Sequence, residues 1–142
     1  MRVRELMQTD VRTIDEADQI DVAEELMREE VIRHLPVLSR QRLVGIVSQR
    51  DLFRAGISAA VGAAPGSEQA RSAKIPVRSV MTRQVLHAHP DAELGAAVEL
   101  MLRERIGCLP VVEGEQRLVG LLSETDCLRY LARVLQQAEG HR

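Results

Sequence analysis

The sequence predicts an α+β protein of two β-α-β-β-α units packed sheet to sheet about a pseudo-twofold axis. Three observations predict it: the chain is an internal duplication, each copy alternates short β-prone stretches with apolar residues at helical spacing, and the apolar residues are almost all aliphatic. Hydrophobic residues make up 45% of the 142, yet there is one Phe, one Tyr and no Trp. The core must therefore be built from Leu, Val, Ile, Ala and Met.

The duplication is read directly. Slid against itself, the chain places Val3-Arg4 on Val77-Arg78, Met7 on Met81, Ala23 on Ala97 and Glu25-Leu26-Met27 on Glu99-Leu100-Met101. Ile32 then meets Ile106, and Leu35-Pro36-Val37 meets Leu109-Pro110-Val111. One extra residue near Gly114 resets the register. After it Gln41 to Gly45 lies on Gln116 to Gly120, Ser48 on Ser123 and Asp51 on Asp126. A single gap with Gly, Pro, Ser and Asp matched in order is not chance similarity.

In each copy a β-prone stretch comes first, Val11 to Ile14 or Val85 to Ala88. A helix follows, marked by Ile20, Ala23, Leu26 and Met27 in one copy and Leu94, Ala97, Val98 and Met101 in the other. Asp15 or Asp18, and Pro90-Asp91, are its expected starts. Two short strands come next, His34 to Leu38 and Leu43 to Val47, joined by the polar turn Ser39-Arg40-Gln41. Their counterparts are Cys108 to Val112 and Leu118 to Leu122, joined through Glu113-Gly114-Glu115. A second helix starts after Ser48 or Ser123, the first one ending near Ile57. Residues 1–57 and 77–135 are thus the repeats, 58–76 a linker, and 136–142 a tail. The linker is rich in Ala, Gly and Ser, with Pro65-Gly66 as a turn and a loose stretch from Gly62 to Ala73. One unit alone is too small to bury its own sheet face; two packed together solve that problem.

Charge and composition narrow the function. The formal net charge is −2 with no basic block, which argues against a nucleic-acid or anionic-membrane surface. The scarcity of aromatic rings argues against base stacking. No apolar run approaches the roughly twenty residues of a membrane span, and the first residues carry no apolar leader segment. A cytoplasmic protein is expected, with Cys108 and Cys127 as two reduced structural thiols. There is no nucleophile elbow, phosphate loop, HExxH or paired acid–base signature, so no enzyme is expected. Met7, Met27, Met81 and Met101 recur at matched positions and read as core. His87 and His89 alternate along one strand face without a third metal ligand nearby in sequence.

The chemistry is carried by the junction Gly-h-h-Ser-x-x-Asp, where h is apolar. It occurs as Gly45 to Asp51 and again as Gly120 to Asp126. Ser-x-x-Asp before an apolar run has the form of a capping box. The same geometry offers helix-end amides and a serine hydroxyl to a phosphate, and a carboxylate to two ribose hydroxyls.

With Met-Thr-x-x-Val at Met81 to Val85, the helix ending Glu-Leu-Met and the Leu-Pro-Val strand, this junction resembles the CBS domain, found in tandem as the Bateman module. The likeness runs from Val3 to about Leu131. It implies two clefts between the repeats that take an adenosine-containing ligand such as AMP, ADP, ATP or S-adenosylmethionine, with no tightly bound cofactor. Carried over by position, the first site would use Ile46, Ser48 and Asp51 with Thr82, Val85, Ile106 and Cys108. The second would use Leu121, Ser123 and Asp126 with Gln8, Val11, Ile32 and His34. Gln8 against Thr82, His34 against Cys108 and Arg50 against Thr125 make the sites unequal, and the first is expected to be the stronger. The resemblance further implies a homodimer, often a disc of four repeats meeting through exposed helices, that signals to a separate, unknown effector protein. The alternatives are a ligand-free dimerisation or docking module and, behind it, a metal or redox sensor using Cys108, Cys127 and the histidines.

Overall fold

The computed structural model describes residues 1–61 and 74–140. The loose stretch expected from Gly62 to Ala73 lies outside them. The chain forms two compact units, Arg12–Val85 and Met1–Val11 with Leu86–Arg142. Each unit takes its strands and helices from one repeat and a leading arm from the other.

In the Arg12–Val85 unit, β1 (Ile14–Asp15) pairs parallel with β2 (His34–Ser39), which pairs antiparallel with β3 (Arg42–Ser48). Helices α1 (Ile20–Glu30) and α2 (Gln49–Val61) complete it. Burial alternates along β3, with Leu43, Gly45 and Val47 inward, as period-two geometry requires of a half-covered strand. The core gathers Ile14, Ile20, Ala23, Met27, Leu35, Val37, Val47 and Leu52 from the first repeat. Val77 and Met81, at the start of the second repeat, are buried in the same cluster.

The other unit repeats the plan with α3 (Leu94–Glu104), β4 (Cys108–Glu113), β5 (Arg117–Ser123) and α4 (Glu124–Gly140). Its core is Val3, Ala88, Leu94, Ala97, Met101, Leu109, Val111 and Leu122. These occupy the repeat positions of Val77, Ile14, Ile20, Ala23, Met27, Leu35, Val37 and Val47. One aliphatic pattern therefore builds both cores. At the position of Leu52 stands Cys127, which is only half-buried.

Two expectations are corrected. The helices do not start at the aspartates. Asp15 Oδ1 accepts from the Ala17 N–H (2.9 Å) and Asp18 Oδ2 from the Asp15 N–H (3.1 Å), so these side chains close a turn, and α1 begins behind Gln19. In the second repeat α3 begins behind Glu93, because the backbone of Pro90 to Ala92 is engaged by the amino-terminal arm. Arg4 N–H donates to Pro90 O and Val3 N–H to Ala92 O, both at 2.9 Å. The Asp91 carboxylate pairs with the Arg4 guanidinium, whose hydrogen bond holds its pKa below the usual value. The leading strands are also shorter than Val11 to Ile14 and Val85 to Ala88 suggest. The first is β1, two residues long, and the second is a single parallel bridge from Ala88 to Val111.

Both first helices end in the same way without glycine. Val31 and Arg105 adopt the left-handed region (φ 55° each), and Ile32 and Ile106 donate back to the carbonyls of Met27 and Met101. That turn packs Ile32 and Ile106 onto their own cores. The β2–β3 hairpin closes through Arg40 and Gln41, both at positive φ (51° and 69°), the geometry that matches strand twist in a two-residue turn.

Candidate nucleotide site

The Gly-h-h-Ser-x-x-Asp junctions form where β3 runs into α2 and β5 into α4. In both, the Ser-x-x-Asp pair is a capping box. Ser48 N–H donates to Asp51 Oδ2 (2.8 Å) and Asp51 N–H to Ser48 Oγ (3.1 Å). Ser123 N–H donates to Asp126 Oδ2 and Asp126 N–H to Ser123 Oγ, both at 3.1 Å. The box satisfies helix-end donors that would otherwise be left without partners, and it aims each carboxylate back across the strand end.

The arms come to these junctions by backbone pairing. Thr82 and Ile46 exchange two hydrogen bonds (2.9 and 3.0 Å), and Gln8 and Leu121 exchange two at 2.9 Å. The motif glycine makes this approach feasible. A Cβ at Gly45 would lie 2.5 Å from Met81 Sδ and 2.9 Å from Thr82 O. At Gly120 it would lie 2.6 Å from Met7 Sδ and 2.9 Å from Gln8 O. The repeated methionines are therefore packing residues, each seated over a motif glycine.

Of the residues expected in the first site, Ile46, Ser48, Asp51, Thr82 and Val85 belong to the Arg12–Val85 unit, as do Ile32 and His34. Leu121, Ser123, Asp126, Gln8 and Val11 belong to the other unit, together with Ile106 and Cys108. Within their own units His34 lies opposite Ser48 in strand register and Cys108 opposite Ser123. The segments leading into β2 and β4 are tied to the same helix ends: Gln49 N–H donates to Arg33 O (2.8 Å) and Glu124 N–H to Gly107 O (2.9 Å). A cavity of about 510 Å³ lies beside this point in the Arg12–Val85 unit, lined among others by Arg28, Val31, Arg33 and Phe53.

Sequence reasoning missed two features. The carboxamide of Gln8 reaches Asp126, with Nε2 donating to Oδ1 at 2.8 Å. The tether of Arg2 to Glu93 (3.1 Å) and of Arg4 to Asp91 holds the arm in place. The only signal for either was charge and polarity in an arm too short to show periodicity.

The cysteines have the electrostatics of packed thiols. Burial, with the negative charge of Glu124 adding to it, pushes Cys108 up to about 12. Burial and Asp126 push Cys127 upward as well. Thiolate, the form that binds metal or attacks a disulfide, is thereby disfavoured. Among the described residues no group of three or more His, Cys, Asp or Glu is placed to hold a metal. The sign for stability follows. The folded Cys108 stays protonated while an unfolded thiol ionises near 9.0, so its contribution is complete below that pH and is lost as pH rises toward 12. Urea midpoints should fall over that window, and less steeply for Cys108→Ala; identical slopes would contradict the assignment.

No helix among the described residues is long and apolar enough to cross a membrane. The CBS domain family model matches residues 3–58 and 77–133. A homoserine O-acetyltransferase of Methanococcoides burtonii is 38% identical over 130 residues, covering 91% of this chain but 24% of the enzyme, so the chain spans about a quarter of that relative. A Vibrio cholerae protein named for acetoin utilization matches in structure with TM-score 0.81 and 30% identity, over 99% of this chain and 96% of its own. A protein designated CBSX2, solved in complex with AMP, matches with TM-score 0.79 over 94% and 97% of the two chains; at 24% identity this is a likeness of fold.

Proposed function

The chain belongs to the CBS domain family, and from that premise we propose that it is a non-catalytic cytoplasmic sensor of an adenosine-containing ligand that signals by conformational change to a separate partner. One observation carries the reading: each Ser-x-x-Asp carboxylate stands at a strand end onto which the arm of the other repeat is hydrogen-bonded. A ribose diol donates two hydrogen bonds, and an aspartate at a helix start is an acceptor of matching charge and reach. The bound AMP of a protein with this fold supports the ligand class. The similarity to an acetyltransferase covers only a quarter of that enzyme and brings no catalytic assignment with it. Signalling requires that the ligand favour one arrangement of the protein over another, since equal affinity for both shifts nothing.

Calorimetric titration with AMP, ADP, ATP and S-adenosylmethionine tests the reading. Asp51→Ala should weaken the preferred ligand by at least about tenfold, the usual effect of losing hydrogen bonds to a charged acceptor. Loss of the box also costs about 1 kcal/mol of stability, so binding is compared at a temperature where circular dichroism reports both proteins folded. Unchanged affinity refutes the site.

A second reading, a ligand-free docking or dimerisation module, has its own support. Leu128, Leu131 and Leu135 are exposed at i, i+3 and i+7 on α4, an apolar stripe of the kind that pairs helices. A homodimer through helix faces accommodates both readings. No heat with any nucleotide, together with a dimer that Leu131→Asp dissociates in light scattering, would select the docking module.

A further inference from the structure

We infer that Gln8 makes the two sites unequal: its carboxamide already occupies Asp126, so an adenosine ligand fills the Ser48/Asp51 site first and reaches the Ser123/Asp126 site only by displacing Gln8. This rests on the nucleotide-binding reading and names the residue that regulates one of its sites.

Four observations support it. Both oxygens of the Asp126 carboxylate accept hydrogen bonds. Oδ2 accepts from Ser123 N–H (3.1 Å) and Ser123 Oγ–H (2.7 Å), and Oδ1 accepts from Gln8 Nε2 (2.8 Å). That carboxylate is also withdrawn from solvent, Asp126 being 7% exposed, whereas Asp51 is half-buried. The hydrogen bonds described for Asp51 are both with Ser48. Finally, Gln8 is delivered rather than free. Two backbone bonds to Leu121 and the seat of Met7 over Gly120 fix its Cα, so only side-chain torsions remain to be ordered when the amide reaches the acid.

The duplication supplies the control. Thr82 stands at the position of Gln8 and pairs with Ile46 as Gln8 pairs with Leu121. A threonine has no carboxamide to donate and ends closer to the backbone. A diol approaching Asp126 competes with the Gln8 amide for Oδ1, whereas among the described residues no such amide is bonded to Asp51. The cost of breaking it subtracts directly from ligand affinity at the second site. Because Gln8 lies in the arm held by Arg2, Arg4 and their partners Glu93 and Asp91, filling the second site also pushes on that arm.

The test is titration of the full chain with AMP. The wild type should bind one AMP per chain with an affinity that Asp51→Ala removes. Gln8→Thr should gain a second binding event at least about tenfold tighter than any second event in the wild type, and Asp126→Ala in that background should remove it. Gln8→Ser serves as a second variant if circular dichroism shows Gln8→Thr unfolded. Two equal sites in the wild type, or one site in both Gln8 variants, overturns the inference and leaves nucleotide binding standing. No binding by any variant overturns the nucleotide reading and this inference with it. As a readout independent of ligand, the Gln8 carboxamide protons should show a resonance shifted from free glutamine that collapses to it in Asp126→Ala. A free-glutamine shift in the wild type overturns the latch itself.

Discussion

Truncating Leu35 or Leu109 to alanine should cost about 2–5 kcal/mol, the range for emptying a tightly packed leucine position, out of a total stability of about 5–15 kcal/mol. Both side chains are 0% exposed and hold the same place in the two copies, each at the second position of its strand. Neither core contains an aromatic ring that could swing into the space. Their neighbours are mostly short or β-branched, with few rotamers to offer, so the cavity should persist and the cost should lie in the upper part of the range. Urea unfolding with an unchanged m-value checks this, and a loss under about 1 kcal/mol would show that the site collapses or that the leucine is not packed.

Gly45→Ala and Gly120→Ala should follow in size and differ in consequence. The new methyl meets a methionine sulfur, which can move, and the carbonyl of Thr82 or Gln8, which cannot move without breaking the bridge to Ile46 or Leu121. Overpacking of this kind costs about 1–3 kcal/mol. Here it also lifts an arm off the Ser-x-x-Asp junction, so on the proposed function the affinity for an adenosine-containing ligand should fall along with stability. Gly56→Ala and Gly95→Ala are the controls. Both glycines lie within helices with open space around the position, and alanine there should raise stability by about 0.5–1 kcal/mol. Four glycine variants with the same sign in thermal melts would refute the close-approach account.

Much of this was legible in the sequence because it is local. The strands His34–Ser39, Arg42–Ser48, Cys108–Glu113 and Arg117–Ser123 lie within a residue or so of their expected bounds, since apolar alternation and polar turns are short-range signals. The helices after Ser48 and Ser123 begin where the box pattern places them. The first helices were misplaced by several residues, because Asp15 and Asp18 serve a turn as readily as a cap and sequence alone does not say which backbone amides are still unsatisfied. The left-handed ends at Val31 and Arg105 gave no glycine signal, being imposed by the chain's return to its own core.

The matched Gly-h-h-Ser-x-x-Asp of each copy was determined by sequence alone, as were the duplication, the aliphatic core positions and the family resemblance. Spacing and periodicity act over a few residues, and the duplication applied them twice. Tertiary structure alone decided that the capping boxes are closed, that Met7 and Met81 are seated over the motif glycines, and that Gln8 lands on Asp126, 118 positions away. A hydrogen bond over that separation depends on where folding brings an arm, and the arms are too short to carry that information in their own pattern. The two copies are equivalent in sequence plan, and one amide from a distant arm makes their carboxylates chemically different.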